Sequence, residues 1–159
     1  MSQLTASPAE IDSCLSLLAA TPERIAAGTT NHAESELTHS PDRKTWSALQ
    51  ILSHLRACDA VWSETIYAML LLDEPTLPLI HPRALTRLRQ YTVLPFADSL
   101  KVFTWQRQEL LAVLRPLPLT AWQRTALIGN HRHSVFSQAR RLALHESQHC
   151  VQIEALFTL

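Results

Sequence analysis

The chain has 159 residues, of which 47% are hydrophobic and 18% are charged, a balance typical of a folded globular protein rather than a disordered one. Basic and acidic residues number 14 each, so no net charge attracts nucleic acid or an anionic membrane surface. The length predicts a single domain, residues 1–159. From the charge balance we expect neither nucleic acid nor a membrane as its partner.

Glycine and cysteine usage narrow the class further. Only two glycines are present, whereas sheets usually need glycine at turns and bulges, so the composition favours an all-helical fold. The cysteines Cys14, Cys58 and Cys150 are odd in number and show no CxxC spacing, which indicates free thiols in a reducing compartment. The N-terminus does not have the pattern of a secretory signal. We therefore expect a cytoplasmic protein.

The first predicted helix begins after Ser7. A serine cap, Pro8 at the first helical position and Glu10 three residues after the cap together form a helix-start pattern. Pro22 predicts a kink or a restart within the helix, because proline lacks the backbone N–H that continues it. Residues 28–31 are expected to end it.

The second predicted helix follows a polar stretch, residues 29–44, which we interpret as a loop. A capping box begins at Ser47, and Trp46 before it can pack on Ile51 at the fourth helical position as a hydrophobic staple. The helix should end near Asp73, since two prolines follow closely.

Residues 74–94 form a long proline-rich connection, which suits a crossover better than a tight hairpin. The third helix is predicted from about Pro95 to Leu114, and a second connection covers residues 119–133 with Trp122 as its buried anchor. The fourth helix begins at a Ser134 cap and continues to about residue 156. The prediction is an all-α four-helix bundle with a long crossover between the second and third helices.

Three histidines fall on the apolar faces of two of these helices. His145 and His149 are four residues apart in the fourth helix, so their rings lie one turn apart on the same face. His54 interrupts the apolar face of the second helix. Neutral imidazoles are the commonest metal ligands in proteins, and three of them leave a coordination position open. A lone histidine on such a face is more often a core residue, so the pattern alone leaves both interpretations open.

Two segments carry a resemblance to a known family. The stretch from Trp46 to Leu55, WSALQILSHL, resembles the second-helix signature of the DinB-like superfamily, which includes YfiT-type metal-dependent hydrolases. The stretch from Leu142 to Glu154, LALHESQHCVQIE, is similar to the fourth-helix signature of that family. Residues 20–24 and 74–78 are also similar to members, so the resemblance covers nearly the whole chain.

The resemblance implies a bundle with up-down-down-up order, often assembled as a homodimer. It also implies a divalent ion, zinc or nickel, held by His54, His145 and His149. The segment HESQH also matches the HExxH pattern of zinc proteases. In the DinB-like family, however, the glutamate of that pattern has no established role, so we expect Glu146 to be a solvated residue at the helix edge.

Some members of the family are transferases or isomerases that use a low-molecular-weight thiol. The resemblance therefore implies a metal-dependent enzyme that acts on a small molecule, through either a thiolate or an activated water. The alternative is a non-catalytic metal-binding module. Cys58, one turn after His54, could close the site as a fourth ligand, although a buried free cysteine more often packs as a hydrophobe. His131 and His133 are expected to be exposed loop residues.

Overall fold

The computed structural model describes residues 5–158. Four long helices form the bundle, and shorter elements lie in the connections between them. The helices are α1 (Pro8–Thr29), α2 (Glu34–Thr38), α3 (Ala48–Leu71), α4 (Pro82–Leu88), α5 (Phe96–Leu114), α6 (Leu119–Trp122) and α7 (Val135–Leu156), with a 3-10 turn at Tyr91–Val93. The strands are β1 (Thr76–Leu77), β2 (Thr125–Ile128) and β3 (His131–Ser134). The predicted four-helix bundle is confirmed.

Serine caps set the starts of three bundle helices as predicted. The side chains of Ser7, Ser47 and Ser134 each accept a hydrogen bond from the backbone N–H three residues later, at 3.1–3.3 Å. Each cap satisfies one of the N–H groups that the first helical turn leaves without a partner. The helix α3 that carries His54 and the helix α7 that carries the other two histidines therefore begin at defined residues.

Pro22 lies inside α1, which continues through it rather than restarting. Proline has no N–H to donate to the carbonyl four residues earlier, which belongs to Leu18. The guanidinium of Arg107 from α5 donates to that carbonyl oxygen instead, at 3.1 Å. The gap in the helix ladder is thus filled from a neighbouring helix, so a break in α1 is unnecessary.

Contacts between the long helices fix their directions. Arg24 pairs with Glu154 near the C-terminal ends of α1 and α7, so these two helices run parallel. Trp46, at the start of α3, stacks over His149 in the second half of α7, so α3 runs antiparallel to α7. Both α1 and α3 pack against α5 as well as α7.

The crossover makes the second and third bundle helices run the same way. Arg56 of α3 donates to Ser99 in the first turn of α5 at 3.1 Å, and Asp59 lies against Arg107 farther along both helices. The resulting order is up-down-down-up, as the family resemblance implies. A parallel pair needs a long connection, which residues 72–95 provide.

The connections contain two features that the sequence interpretation missed. Residues 34–38 form the short helix α2 instead of a loop, and its Glu34 accepts a hydrogen bond from the backbone N–H of Phe96 at 2.8 Å. The second connection is not irregular, because β2 and β3 pair as an antiparallel hairpin and β1 joins β2 in parallel. Gly129 turns the hairpin with a φ of 57°, a conformation that glycine adopts without a steric penalty.

The small sheet is fixed to the C-terminal end of α3. Arg124 donates to the carbonyl oxygens of Met69 and Leu72, both at 2.7 Å, and so satisfies acceptors that the helix end leaves open. Trp122 is 2% exposed, which confirms its predicted role as an anchor. The sheet therefore lies at the end of the bundle away from Trp46.

The bundle core consists of two apolar clusters. One extends from Leu18 and Cys58 toward the sheet, and the other surrounds Leu52, Phe103 and Cys150. A layer of buried polar residues, Asp59, Arg107 and Glu146, lies between them. Within residues 5–158, no helix is long and apolar enough to cross a membrane.

Candidate metal centre

The three predicted ligands meet where α3 passes α7. His54 is 7% exposed, whereas His145 and His149 are partly buried at the edge of the helix interface. The buried line of α7 runs through Leu142, Glu146 and Cys150 instead. His145 and His149 therefore lie beside the buried face of α7 rather than within it. Both rings remain partly accessible to solvent.

The Nε2 atom of His145 lies close to the Nε2 atoms of both other histidines. The Nε2 atoms of His54 and His145 are 3.4 Å apart, and those of His145 and His149 are 3.3 Å apart. A tetrahedral zinc ion with Zn–N bonds of about 2.0–2.1 Å separates its nitrogen ligands by about 3.3–3.4 Å. The spacing of both nitrogen pairs therefore fits a common ion.

Neighbouring side chains orient two of the rings. The Nδ1 atom of His149 lies 2.7 Å from the amide oxygen of Gln152. Because that oxygen can only accept, Nδ1 carries the proton and Nε2 presents its lone pair. Trp62 contacts the ring of His145 edge-on, with centroids 5.2 Å apart, while the Nδ1 atom of His145 is buried without a hydrogen-bond partner.

Burial keeps all three imidazoles neutral. Desolvation, followed by the positive charge that neighbouring histidines would carry, lowers the pKa of His54 and of His145 to about 4. Desolvation also lowers the pKa of His149. Arg83 and Arg141 act in the same direction. At neutral pH the rings therefore have the protonation state that metal ligation requires.

Cys58 belongs to the same cluster. Its Sγ lies 3.4 Å from the Nε2 atom of His54, and potential ligand atoms of His54, Cys58 and His145 all lie within 4.8 Å of one another. Burial raises the pKa of the Cys58 thiol to about 12, and the nearby carboxylates of Glu146 and Asp59 act in the same direction. The metal-free protein therefore holds a neutral thiol beside the imidazoles.

Glu146 is not the solvated edge residue expected from the sequence. It is fully buried, and its carboxylate forms two hydrogen bonds with the guanidinium of Arg107, at 2.7 and 2.5 Å. Asp59 accepts a third hydrogen bond from Arg107. Adjacent residues of a helix point about 100° apart. Glu146 therefore faces the bundle interior, while His145 faces the edge of the helix interface. Its carboxylate is thus held away from the metal-ligating face.

The ion cluster of Asp59, Arg107 and Glu146 forms the polar layer between the two apolar clusters. Burial raises the pKa of both carboxyl groups, and the Arg107 guanidinium opposes that change. The same carboxylates raise the pKa of Arg107 well above its usual value. The sequence interpretation missed this layer because Arg107 occupies a core position in α5 that ordinarily favours an apolar side chain.

A cleft of about 800 Å³ opens beside the histidines. His149 is the one member of the histidine cluster in its wall, which also contains Trp46 and Ile51 of the α3 region and Gln152 of α7. Arg83 from α4 lies over the Trp46 ring, with its guanidinium carbon 5.2 Å from the ring centroid. The cleft therefore reaches the histidine cluster at His149.

Comparison with known proteins agrees with this architecture. The sequence model of the DinB superfamily matches residues 17–153. The chain belongs to the DinB superfamily. No curated protein sequence is similar enough to count as a match. Among solved structures, YfiT from Bacillus subtilis superposes with a TM-score of 0.85 at 16% identity, over 96% of this chain and 88% of that one.

YfiT is described as "a probable metal-dependent hydrolase with an unusual four-helix bundle topology". At this level of identity the likeness shows a shared fold, which is the DinB-superfamily bundle that the sequence predicted. Membership and fold are therefore confirmed.

Other residues singled out in the sequence lie away from the histidine cluster of this DinB-superfamily bundle. His131 and His133 lie in β3 rather than in a loop; His131 is exposed, and His133 contacts Ser137. The sequence interpretation did not assign Gln152 or Arg83 to the site, although Gln152 follows His149 by three residues, the spacing of helix neighbours.

Proposed function

We propose that this DinB-superfamily protein is a metal-dependent hydrolase of small molecules that binds one divalent ion through His54, His145 and His149. The close approach of three neutral imidazoles, one of which lines an open cleft, carries the proposal. The family, and the description of its structural relative YfiT, support it. Three protein ligands leave a position for substrate or water, which is the pattern of catalytic rather than structural zinc sites.

A divalent ion in such a site lowers the pKa of coordinated water and polarises a carbonyl oxygen. The residues of the chain prepare the environment. Gln152 fixes the tautomer of His149, so that its Nε2 faces the cluster. Trp46 and Trp62 flank the rings of His149 and His145 and restrict their movement. Glu146 does not serve as general base, since Arg107 occupies both of its oxygens.

A thiol-dependent transferase or isomerase reaction is the second candidate. The cleft is wide enough for a small thiol beside a substrate, because about 800 Å³ falls in the range of small-molecule sites. An ion held by neutral ligands would favour the thiolate form of a bound thiol. A cobalt-substituted protein distinguishes the two reactions, since binding of a thiol to the ion adds a sulfur-to-cobalt charge-transfer band.

A structural metal site is the third candidate, and Cys58 is the observation that favours it. Four protein ligands, with Cys58 as the fourth, would close the site. Because burial raises the pKa of this thiol, an ion bound there would have to displace its proton. A sulfur-to-cobalt band before any thiol is added would favour the closed site.

The first experiment is elemental analysis of untagged protein. We expect roughly one ion per chain and its loss in the His145→Ala, His149→Ala double variant. The matched control is the His131→Ala, His133→Ala double variant, which removes two histidines from β3 and should keep the ion. Equal metal content in both variants would refute the proposed site.

Activity is then measured with chromogenic esters and amides, comparing metal-loaded with chelated protein. Hydrolysis that disappears on chelation, returns with the ion and is absent from the His145→Ala, His149→Ala variant supports the proposal. Metal binding without any hydrolysis, together with a cobalt spectrum that responds to a thiol, would instead favour the transferase.

A further inference from the structure

The cleft beside the histidine cluster has a one-sided charge. Its walls contain Lys44 and Arg83 and, among the described lining residues, no carboxylate. Within residues 5–158, neither side chain forms an ion pair with an acidic residue. Both are exposed, so their hydrogen-bond donors are available to a ligand.

Trp46 connects these cations to the histidines. Arg83 lies over the indole ring with its guanidinium carbon 5.2 Å from the centroid, an arrangement that leaves the N–H groups at the guanidinium edge free. The same indole contacts His54 edge-on at 5.3 Å and stacks parallel to His149 at 6.4 Å, measured between centroids. One aromatic ring thus separates the arginine from the proposed ligands.

Four carboxylates on the elements around the cleft have hydrogen-bond or ion-pair partners. Glu146 and Asp59 bind Arg107, and Glu154 binds Arg24. Asp42, near Lys44 in the chain, accepts hydrogen bonds from the backbone N–H groups of residues 44 and 45 and from the Thr45 hydroxyl. None of these carboxylates is among the residues that line the cleft beside Arg83.

The proposed ion would add to this excess of positive charge. Neutral imidazoles leave its two charges uncompensated, and Arg83 and Lys44 lie on the same side of the cluster. Like charges around one cleft repel one another. A ligand that carries negative charge would relieve the repulsion and gain hydrogen bonds from the guanidinium.

We propose that the substrate is anionic: a small molecule whose carboxylate or phosphate group binds Arg83 and Lys44, whose body lies along Trp46, and whose reacting group reaches the histidine cluster. This inference rests on the proposed function for the identity of the reacting site. The anion subsite itself consists of groups outside the histidine cluster, so it can be tested without metal.

The probes are phenyl phosphate and benzoate, with phenol as the neutral analogue of similar shape. Binding is measured by calorimetry on chelated protein and on metal-loaded protein at low ionic strength. We expect both anions to bind chelated protein more tightly than phenol, and the tighter of the two identifies the anionic group. Arg83→Met should weaken anion binding roughly tenfold, since a bidentate guanidinium contact is lost.

Lys44→Met should weaken it less, because lysine is a single-point cation. The matched control is Arg87→Met, which removes an exposed arginine from the same helix α4 and should leave binding unchanged. Equal affinity for phenol and the anions, or anion binding that survives in the Arg83→Met, Lys44→Met double variant, would overturn the subsite.

The experiment separates the two proposals. Anion binding in chelated protein that is sensitive to Arg83 supports the subsite even if no ion binds to the histidines. Anion binding that needs the metal and ignores Arg83 contradicts the subsite, while elemental analysis tests the metal site independently.

Discussion

Two polar clusters lie on neighbouring faces of α7, and they differ in burial, charge and hydrogen bonding. The ion cluster of Asp59, Arg107 and Glu146 is sealed in the core, charged and joined by short hydrogen bonds. The histidine cluster lies at the edge of a cleft, is neutral, and has nitrogen atoms that face one another without a common partner. Residues 145 and 146 are adjacent in sequence but belong to different clusters.

We interpret the ion cluster as a group that stabilises the fold and the histidine cluster as a group that binds a ligand. In the ion cluster the guanidinium supplies donors to both carboxylates and to the Leu18 carbonyl, so only its Nε lacks a partner. Buried charges are tolerated where they are paired in this way. In the histidine cluster the Nε2 atoms face one another instead of a charged partner.

The largest expected effect comes from breaking the ion cluster. Arg107→Met leaves two buried carboxylates without a cation and should lower the free energy of unfolding by about 3–5 kcal/mol, measured by urea denaturation of chelated protein. Replacing all three members, as Arg107→Met, Asp59→Asn and Glu146→Gln, should recover much of that loss, because no unpaired charge remains.

Arg24→Met serves as the control for this prediction. Arg24 also forms an ion pair between bundle helices, but its side chain and that of Glu154 are 37% and 39% exposed. Solvent screens such a pair, so we expect a loss below about 1 kcal/mol. Equal losses for Arg24→Met and Arg107→Met would contradict the distinction between a sealed cluster and an ordinary surface pair.

For the neutral histidine cluster we predict an effect of pH on stability. The pKa of His54 is about 4 in the folded chain and about 6.5 when unfolded. Between these values the unfolded chain binds a proton that the folded chain does not, so acidification favours unfolding. The contribution of His54 to stability is complete above pH 6.5 and is lost progressively as the pH falls toward 4.

His54→Gln should remove this dependence. The difference in unfolding free energy between wild type and variant, measured on chelated protein, should change by roughly 1.4 kcal/mol per pH unit in that window. The carboxyl groups of the ion cluster titrate in both proteins, so their effect cancels in the difference. A flat difference curve would mean that His54 is protonated in the folded state.

Much of the fold could be predicted from local signals. Serine caps and prolines delimited the four long helices because both act within a few residues of the chain. The hairpin at residues 125–134 was missed although Gly129 and Asn130 form a two-residue turn typical of hairpins. Residues 131–134, with two histidines and an arginine, lack the apolar alternation that marks a strand.

The site was predictable only in part, for a physical reason. Helical spacing places His145 and His149 on one face, but it does not reveal whether that face meets the core or its edge. Glu146 was misplaced because its burial depends on Arg107, which comes from another helix and is remote in sequence. Arg83 lies in the crossover, whose path no local pattern specifies.

A smaller effect is expected from the residue that orients His149. Gln152→Leu removes the acceptor of the Nδ1 proton and should weaken metal binding by about 10–100-fold, the usual effect of losing an outer-shell hydrogen bond. The measurement is competition with a chromogenic chelator. Gln148→Leu is the matched control, since Gln148 is an exposed glutamine of the same helix, and its affinity should equal that of wild type.

The smallest expected effect is that of Cys58→Ala, and it decides how far the two clusters are separate. Cys58 lies between them, with its Sγ 3.4 Å from a His54 nitrogen and with its pKa raised partly by the carboxylates of the ion cluster. If the thiol is only a packing residue, the variant should keep its metal and lose about 1 kcal/mol or less of stability, since a buried cysteine acts as a small hydrophobe. Elemental analysis and the cobalt spectrum measure the metal content, and urea denaturation measures the stability.

Loss of the ion in Cys58→Ala would make the thiol a ligand and close the site. In that case the carboxylates of Glu146 and Asp59, which act on Cys58, would favour a cation bound at its sulfur.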